Sequence, residues 1–466
     1  MSNRTTAIGI FLLAFAAFAW LAPGQATNAQ VVTRLGLTLS IVDSGQLSID
    51  RFADATIDKA RFDGRYYTDK VPGLSFLAIP IVCVTKFYYE FGGRALDSND
   101  RADFWRFARV ATISVNGLIS ALAVAVLFLT AIRLGATRTG ALFAAGVLAL
   151  ATPFFGWSTI FFAHSVSGSL LMFAGAAIVF AFAGDTSREG RPPSMLFGVG
   201  LGMLLGYTMV VDLVAAPTCL LGGILASALA LRLGADVFVR VAGGMALGGI
   251  LGLLPLLLYN QLAFGSPFKV GYSEVVGFEG MKQGFFGITW PKLNVLWELL
   301  FGLYRGLLPL SPILVLIPLG LSRMWREPAT RIAAVTVILV ICSFLWINAS
   351  YYMWWGGWST GPRHLVPMLP ICCLPLAFAC PRTFPGLIIT TALLGASLVL
   401  ALICAVADIT APENFGNPLV DYLLPRFLTQ EKLLWSLPII AIWGLFAALL
   451  LGRKDQSRRA TESLES

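Results

Sequence analysis

Residues 195–231 read MLFGVGLGMLLGYTMVVDLVAAPTCLLGGILASALAL, and this stretch decides the class of fold. It holds one acidic residue, Asp212, and neither lysine nor arginine. A membrane-spanning helix needs about 20 apolar residues, so the stretch suffices for two short spans that turn near Asp212. The sequence therefore predicts a pair of helices inside a membrane.

The composition of the whole chain agrees with this interpretation. Of its 466 residues, 57% are hydrophobic and 12% are charged, and the mean hydropathy is +0.78. Soluble domains carry about 25% charged residues, and disordered chains are poor in apolar ones. Both classes are excluded, and we expect an all-α polytopic membrane protein that forms one integral-membrane domain over 1–466.

Twelve apolar segments are long enough to be spans, with 11 to 13 as the range. They are 7–22, 107–132, 140–156, 164–184, 195–211, 213–231, 241–259, 307–321, 332–349, 365–381, 384–406 and 434–451. The first segment could also be a signal peptide, but the many later spans favour an uncleaved helix. Lys86 and Glu90 interrupt the apolar stretch 73–90, so we predict a helix lying at the membrane interface, with a full span as the alternative.

The charges set the orientation of this arrangement. With the N-terminus in the cytoplasm, the inner segments hold fifteen basic and seven acidic residues, an excess equal to the net charge of +8. This is the pattern that the positive-inside rule describes. The charge therefore indicates topology and not a nucleic-acid partner. Both termini are predicted to be cytoplasmic, with a tail at 452–466, and the longest outer loops are 23–106 and 260–306.

The first outer loop, 23–106, carries the densest polar chemistry. Six aspartates lie within 27 positions: Asp43, Asp50, Asp54, Asp58, Asp63 and Asp69. The loop also contains the run DGRYYTDKVPG at 63–73. Carboxylates can take a proton from an acceptor hydroxyl, and lysine or arginine can hold a leaving phosphate. Beside a bilayer, these groups suit glycosyl transfer from a lipid phosphate. The alternative is a solvated loop with ordinary surface charges.

Further candidate residues map to the same outer face. The chain has two histidines, His164 and His364, and both fall at outer helix ends. The segment 351–364 reads YYMWWGGWSTGPRH, and we interpret Trp354, Trp355 and Arg363 in it as a sugar-stacking or lipid-phosphate site. Its alternative is an interfacial aromatic belt. Arg305 and Asp212 could join such a site, or could be an interface anchor and a helix cap, respectively.

Metal and cysteine chemistry is not indicated. All seven cysteines lie inside apolar stretches, where they act as small hydrophobic residues. No HExxH or similar ligand spacing occurs. The sequence requires no cofactor, and assistance by a divalent cation stays an open alternative.

Several blocks resemble bacterial membrane glycosyltransferases of the C-type fold, in particular the family 39-like proteins related to protein mannosyltransferases and the lipid A aminoarabinose transferase. The blocks are Ser44-Gly45, the run 66–74 with Tyr66 and Tyr67, the loop 264–267, Arg305-Gly306-Leu307 and the segment 355–363. The resemblance covers most of the chain in scattered short blocks. It implies many helices with interfacial helices in the first periplasmic loop.

The resemblance also implies an activity. Such enzymes move a sugar, with inversion, from a polyprenyl-phosphate donor to a lipid, glycan or protein acceptor at the periplasmic face of the bacterial inner membrane. A first-loop acid is the base in the family, and Lys70 matches the lysine that contacts the carrier phosphate. Relatives often carry an acidic pair just after the first span, whereas here 27–30 reads TNAQ.

The base must then come from later in the loop, and our order of preference is Asp58, Asp50, Asp69. Tyr66, Tyr67, His164, Arg305, Trp354, Trp355, Arg363 and His364 are the expected binding residues beside Lys70. The competing hypotheses are a carrier or flippase for lipid-linked sugars, and a structural membrane subunit.

Overall fold

The described part of the chain folds mainly into helices. The computed structural model describes residues 2–22, 28–182, 192–381 and 383–451. The helices are α1 (Asn3–Leu21), α2 (Ala29–Ser44), α3 (Gly73–Phe91), α4 (Arg101–Ala111), α5 (Leu118–Arg133), α6 (Arg138–Leu150), α7 (Phe154–Trp157), α8 (Ala163–Phe182), α9 (Met195–Val211), α10 (Ala216–Arg232), α11 (Ala235–Phe264), α12 (Leu293–Phe301), α13 (Leu307–Leu310), α14 (Ile317–Arg326), α15 (Arg331–Ser350), α16 (Leu369–Cys372), α17 (Phe384–Ala407), α18 (Leu424–Phe427) and α19 (Gln430–Leu451). Two short antiparallel strands, β1 (Ala60–Phe62) and β2 (Arg65–Tyr67), form a hairpin. The predicted tail at 452–466 and the inner charges at 185–191 and 382 lie outside the described residues.

Nine helices in the described part of the chain are long and apolar enough to cross a membrane. They are Asn3–Leu21, Gly73–Phe91, Arg101–Arg133, Ala163–Phe182, Leu213–Arg232, Ala235–Phe264, Pro328–Ser350, Phe384–Ala407 and Gln430–Leu450. Three shorter apolar helices accompany them: Arg138–Leu150, Met195–Val211 and Arg363–Phe378. The prediction of a polytopic all-α membrane protein with about twelve apolar helices is therefore confirmed.

Three predicted spans differ in their local form because proline interrupts the helical hydrogen bonds. The predicted span 140–156 divides into α6, which ends at Leu150, and α7, with Pro153 between them. The predicted span 307–321 is broken into α13, a 3-10 turn at Pro312–Leu316, and α14. It does not form one helix long enough to count as a span. The predicted span 365–381 consists of 3-10 turns on either side of α16 and ends at Phe378. Proline residues lie in each of these turns.

The first loop folds into a compact layer. Helix α2 starts at Asn28, whose side-chain oxygen accepts a hydrogen bond from the Gln30 amide at 2.9 Å, and it ends at Gly45 in the left-handed conformation. A 3-10 turn, the β-hairpin, α3 and α4 follow. Helix α3 covers the segment 73–90 and has the length and composition of a span, so its predicted place at the interface stays a prediction.

The N-terminal end of α3 is fixed to the C-terminal end of α9. A Cβ atom on Gly73 would lie 2.5 Å from the carbonyl oxygen of Val210, so only glycine permits this approach. The Tyr207 hydroxyl also donates a hydrogen bond to the Gly73 carbonyl at 3.0 Å. The first loop is therefore held against the helical bundle where α3 begins.

Helices α9 and α11 run parallel with their backbones in close contact. Glycines recur every fourth residue on both facing surfaces: Gly198, Gly202 and Gly206 on α9, and Gly244, Gly248 and Gly252 on α11. A Cβ atom on Gly202 would lie 2.2 Å from the Met245 carbonyl oxygen, and one on Gly248 would lie 2.0 Å from that of Val199. Small residues at this spacing let membrane helices approach closely.

Candidate active-site cavity

A large cavity of about 1640 Å³ lies at the end of the bundle that carries the first loop. Its walls come from the start of α2, residues 54–59 and 69–70 of the first loop, the beginning of α8, the junction of α9 and α10, the loop 268–288 and the segment 347–364. The lining combines charged groups of both signs with apolar side chains. Such mixed concave surfaces are typical of binding sites for amphipathic ligands.

Lys70 lies between two carboxylates in this cavity. Its ammonium nitrogen is 2.6 Å from Asp69 Oδ2 and 3.3 Å from Asp58 Oδ1. Two local turns hold the acids: the Thr56 hydroxyl accepts a hydrogen bond from the Asp58 amide at 3.0 Å, and the Thr68 hydroxyl accepts one from the Lys70 amide at 3.1 Å. The hairpin between the two turns brings positions 58 and 69 together.

Burial shapes the charges of this group. Burial, and to a smaller extent the Asp58 charge, raise the pKa of Asp69 to about 6 against the opposing charge of Lys70. Burial alone would lower the pKa of Lys70, but the charges of Asp58 and Asp69 raise it above its usual range. Lys70 is therefore a permanent cation. The side chain of Asp58 is 10% exposed against 2% for Asp69, so Asp58 is the carboxylate that a ligand can reach.

Two arginines line the same cavity without an acidic partner. Arg34 on α2 is 4% exposed, and its best polar contact is a long hydrogen bond of 3.5 Å to the Val71 carbonyl. Arg363 is half-buried, and it donates to the Gln30 side-chain oxygen at 3.0 and 3.2 Å when that amide is turned to face it. Within the described ranges, no carboxylate forms an ion pair with either guanidinium group. An unpaired charge in a buried place is costly, so this arrangement fits an anionic ligand.

A histidine–aspartate pair stands beside the arginines. His164 Nδ1 and Asp212 Oδ2 are 3.1 Å apart, and the Ser167 hydroxyl donates to the same carboxylate oxygen at 3.3 Å. Asp212 Oδ1 accepts a hydrogen bond from the Val214 amide at 3.2 Å. His164 Nε2 has no hydrogen-bond partner among the residues that the structure describes. The ring of His364 packs edge-on against His164, with centroids 5.5 Å apart.

The structure brings together half of the predicted site residues. Asp58, Asp69, Lys70, His164, Arg363 and His364 all line the cavity, whereas Asp50, Tyr66, Tyr67, Arg305, Trp354 and Trp355 do not. Asp50 accepts a hydrogen bond from the Tyr66 amide at 2.6 Å and so braces the hairpin. The Tyr67 ring packs against Phe264.

Arg305 is fully buried, and within the described ranges its hydrogen bonds go to backbone carbonyl groups. It donates to Tyr304 at 3.1 Å and to Trp355 and Gly357 at 3.3 Å each. The indole nitrogen of Trp355 donates to Glu413 Oε2 at 2.7 Å. These contacts hold the chain at 355–357 in place, and the neighbouring Gly356 packs against the Arg363 side chain. The structure therefore places Arg305 behind the cavity wall.

Sequence reasoning missed Arg34 and the pairing of Gln30 with Arg363. A single arginine inside the otherwise apolar run VVTRLGL at 31–37 is a signal that could have revealed Arg34. The sequence did single out Asp212, but its histidine partner lies 48 positions away. Within the described ranges, no group of three or more histidine, cysteine or acidic side chains is placed to hold a metal ion.

The arrangement of helices and first-loop layer is the C-type glycosyltransferase fold. The chain is similar to the crystal structure of apo ArnT from Cupriavidus metallidurans, with 15% identity, 97% of this chain and 76% of ArnT covered, and a TM-score of 0.53. It is also similar to ArnT bound to undecaprenyl phosphate, with 13% identity, 96% of this chain and 72% of ArnT covered, and a TM-score of 0.55. At these identities the similarity shows the fold alone. No protein-family model matches the chain, and no curated protein matches it.

Proposed function

We propose that this protein is an inverting glycosyltransferase that moves a sugar from a polyprenyl-phosphate donor to a hydroxyl-bearing lipid, glycan or protein, at the periplasmic face of a bacterial inner membrane. One observation carries the proposal: Arg34 and Arg363 line a cavity without a carboxylate partner among the described residues. A phosphate would neutralise both guanidinium groups, which bind phosphate through paired N–H donors. The ArnT structure with undecaprenyl phosphate supports this choice of donor.

The cavity also has an apolar wall suited to a prenyl chain. Leu213 from the 3-10 turn before α10, and Pro217 and Leu220 from the start of α10, line it together with Ile347 from α15. Leu220 is 62% exposed, so this wall is continuous with the outer surface of the bundle. A lipid chain could lie there with its phosphate toward the arginines.

Asp58 is the proposed general base. The acceptor oxygen attacks the anomeric carbon from the side opposite the phosphate, and its proton passes to Asp58. The carbon–oxygen bond to the phosphate breaks, and the electron pair remains on the leaving phosphate. Arg34 and Arg363 stabilise this developing charge, while Asp69 keeps Lys70 charged and in position. The greater exposure of Asp58 favours it over Asp69 as the base.

The test measures transfer of label from radiolabelled polyprenyl-phosphate sugars to a cell-envelope extract by the purified full-length protein. Asp58→Asn should lower the rate by about 10²- to 10⁴-fold, the usual worth of a general base. Lys70→Ala should also lose transfer. Asp50→Asn is the matched control, because Asp50 lies outside the cavity lining, and it should stay within about twofold of wild type.

Thermal unfolding of each variant separates loss of chemistry from loss of structure. Undiminished transfer in Asp58→Asn and Lys70→Ala would contradict the mechanism. Movement of the lipid-linked sugar across vesicle membranes without any transfer would favour the carrier hypothesis.

A further inference from the structure

We infer that His164 takes up a proton when the phosphate group binds, so that an imidazolium held by Asp212 becomes a third positive group on the leaving phosphate. This inference rests on the proposed function, since it concerns the same phosphate. It assigns a catalytic role to the pair of His164 and Asp212, which the mechanism above does not use.

The geometry of the pair suits a histidine that carries a proton. Asp212 is 5% exposed, and its Oδ2 accepts from His164 Nδ1 at 3.1 Å. This contact fixes the ring orientation and leaves Nε2 for another partner. His164 is also 5% exposed, it lines the cavity, and its Nε2 lacks a partner among the described residues. A phosphate oxygen is a partner that suits a protonated Nε2.

The charges around the ring explain why protonation depends on the ligand. Burial opposes a charge on the His164 ring. Asp212, at the end of α9, attracts a proton to the ring, while Arg363, the first residue of a 3-10 turn, and Arg34 on α2 repel it. The other ring contacts within the described ranges are uncharged or aromatic: Trp157, Phe162 and His364. Ser167 on α8 donates to the Asp212 carboxylate.

A bound phosphate monoester carries a charge of about −1.5 to −2 near neutral pH. It offsets the two guanidinium charges, and its own negative charge joins that of Asp212 in attracting the proton against the cost of burial. Proton uptake and phosphate binding are then linked: each favours the other.

The linkage would contribute to the bond-breaking step. The donor is a phosphodiester with one negative charge, and the leaving group is a monoester that gains a second charge as the bond to the anomeric carbon breaks. The imidazolium takes its proton from the solvent and is favoured most when the second charge of the monoester is present. It donates a hydrogen bond to this phosphate and keeps its proton. The acceptor proton passes separately to Asp58, so the two protons have different sources and different sites.

Imidazole nitrogen NMR tests the inference directly, because the chain has two histidines. The full-length protein, labelled with ¹⁵N-histidine, is measured in detergent at pH 7.5 before and after saturation with undecaprenyl phosphate. The His364→Gln variant assigns the His164 signals. We expect His164 Nε2 to change from an unprotonated to a protonated nitrogen, and His364 to stay neutral.

The Asp212→Asn variant keeps the size of the side chain but removes its charge. It should still bind undecaprenyl phosphate, more weakly, and its His164 should stay neutral. Calorimetry in buffers of different ionisation enthalpy gives a second measure. Wild type should take up about one more proton per bound lipid phosphate than His164→Gln.

The outcomes separate this inference from the proposed function. Binding of undecaprenyl phosphate with His164 unprotonated, or the same proton uptake in wild type and His164→Gln, overturns the inference and leaves the proposed function standing. Failure of undecaprenyl phosphate to bind at all overturns both.

Discussion

The contact between α9 and α11 and the cavity differ in how closely their residues are packed. The contact between α9 and α11 joins backbone to backbone, and one added methyl group at Gly248 would meet a carbonyl oxygen at 2.0 Å. The cavity, in contrast, keeps Arg34 and Arg363 beside about 1640 Å³ of space. The contact between α9 and α11 is closely packed, whereas the cavity contains two arginines whose charges lower stability. This difference supports the proposal that a ligand compensates the charges of the two arginines, because a buried charge without a partner lowers stability.

Among the variants that test this comparison, the largest effect is expected from Arg34→Met, which keeps the length of the side chain and removes its charge. Transfer should fall by about 10²- to 10³-fold, as for other preorganised donors to a developing anion. The unfolding temperature should rise, because removal of an unpaired buried charge stabilises by about 1–2 kcal/mol. Transfer assays and thermal unfolding of the same preparation measure both. A variant that loses both activity and stability would contradict the contrast between the regions.

Gly248→Ala should lower the stability of the protein, whereas Arg34→Met should raise it. The new Cβ meets the Val199 carbonyl oxygen, so we expect a loss of about 3 kcal/mol through separation of α9 and α11. Gly243→Ala on the same helix is the matched control, because no atom lies within 4 Å of its added Cβ. Thermal unfolding in detergent compares the two. Equal unfolding temperatures would mean that the helices are not held by this contact.

Asp69 allows a pH test on the cavity side of the comparison. Burial raises its pKa to about 6 in the folded protein, above the ordinary value near 3.9. The folded state thus binds more protons than the unfolded state between about pH 4 and pH 6, so stability falls as the pH rises through this window. Asp69→Asn removes the effect. Its unfolding temperature, relative to wild type, should increase from pH 4 to pH 6 and then level off; a constant difference would contradict the assignment.

The smallest effect concerns α3, whose first residue, Gly73, packs against Val210 of α9. If α3 lies at the interface, Gly92→Cys should react with an impermeant thiol reagent from outside intact spheroplasts. Cys83 and Cys342 are exposed and must first be replaced by serine. Reaction only after permeabilisation would mean that α3 spans the membrane.

The sequence predicted the helical regions well because hydropathy is a local property. It gave the number of apolar helices and the location of the polar layer in the first loop. It failed where proline breaks a span, as at Pro312 and Pro318, although those residues were visible. The spacing of the glycines in α9 and α11, four residues apart, is visible in the sequence and is typical of helix contacts in membranes. The sequence does not show which helix each of them contacts.

The site could be predicted only in part. Lys70 and Asp58 come from one short segment, so composition and spacing pointed to them. Asp50 and Arg305 carry the same kinds of charged group as Asp58 and Lys70. However, Asp50 accepts a hydrogen bond from a backbone amide, and Arg305 donates to three backbone carbonyl groups. Such partners depend on the fold. Residue type alone does not distinguish a charged side chain that holds the backbone in place from one that is available to a ligand.

The unpaired arginines have a practical consequence for handling the purified protein. A site that lacks only an anion will take inorganic phosphate or sulfate from the buffer by mass action. At a concentration one hundred times its dissociation constant, such an ion stabilises the folded state by about 2.7 kcal/mol. If buffers were chosen for the highest unfolding temperature, the chosen buffer would contain an anion that competes with the proposed donor. The most stable preparation would then be the least active.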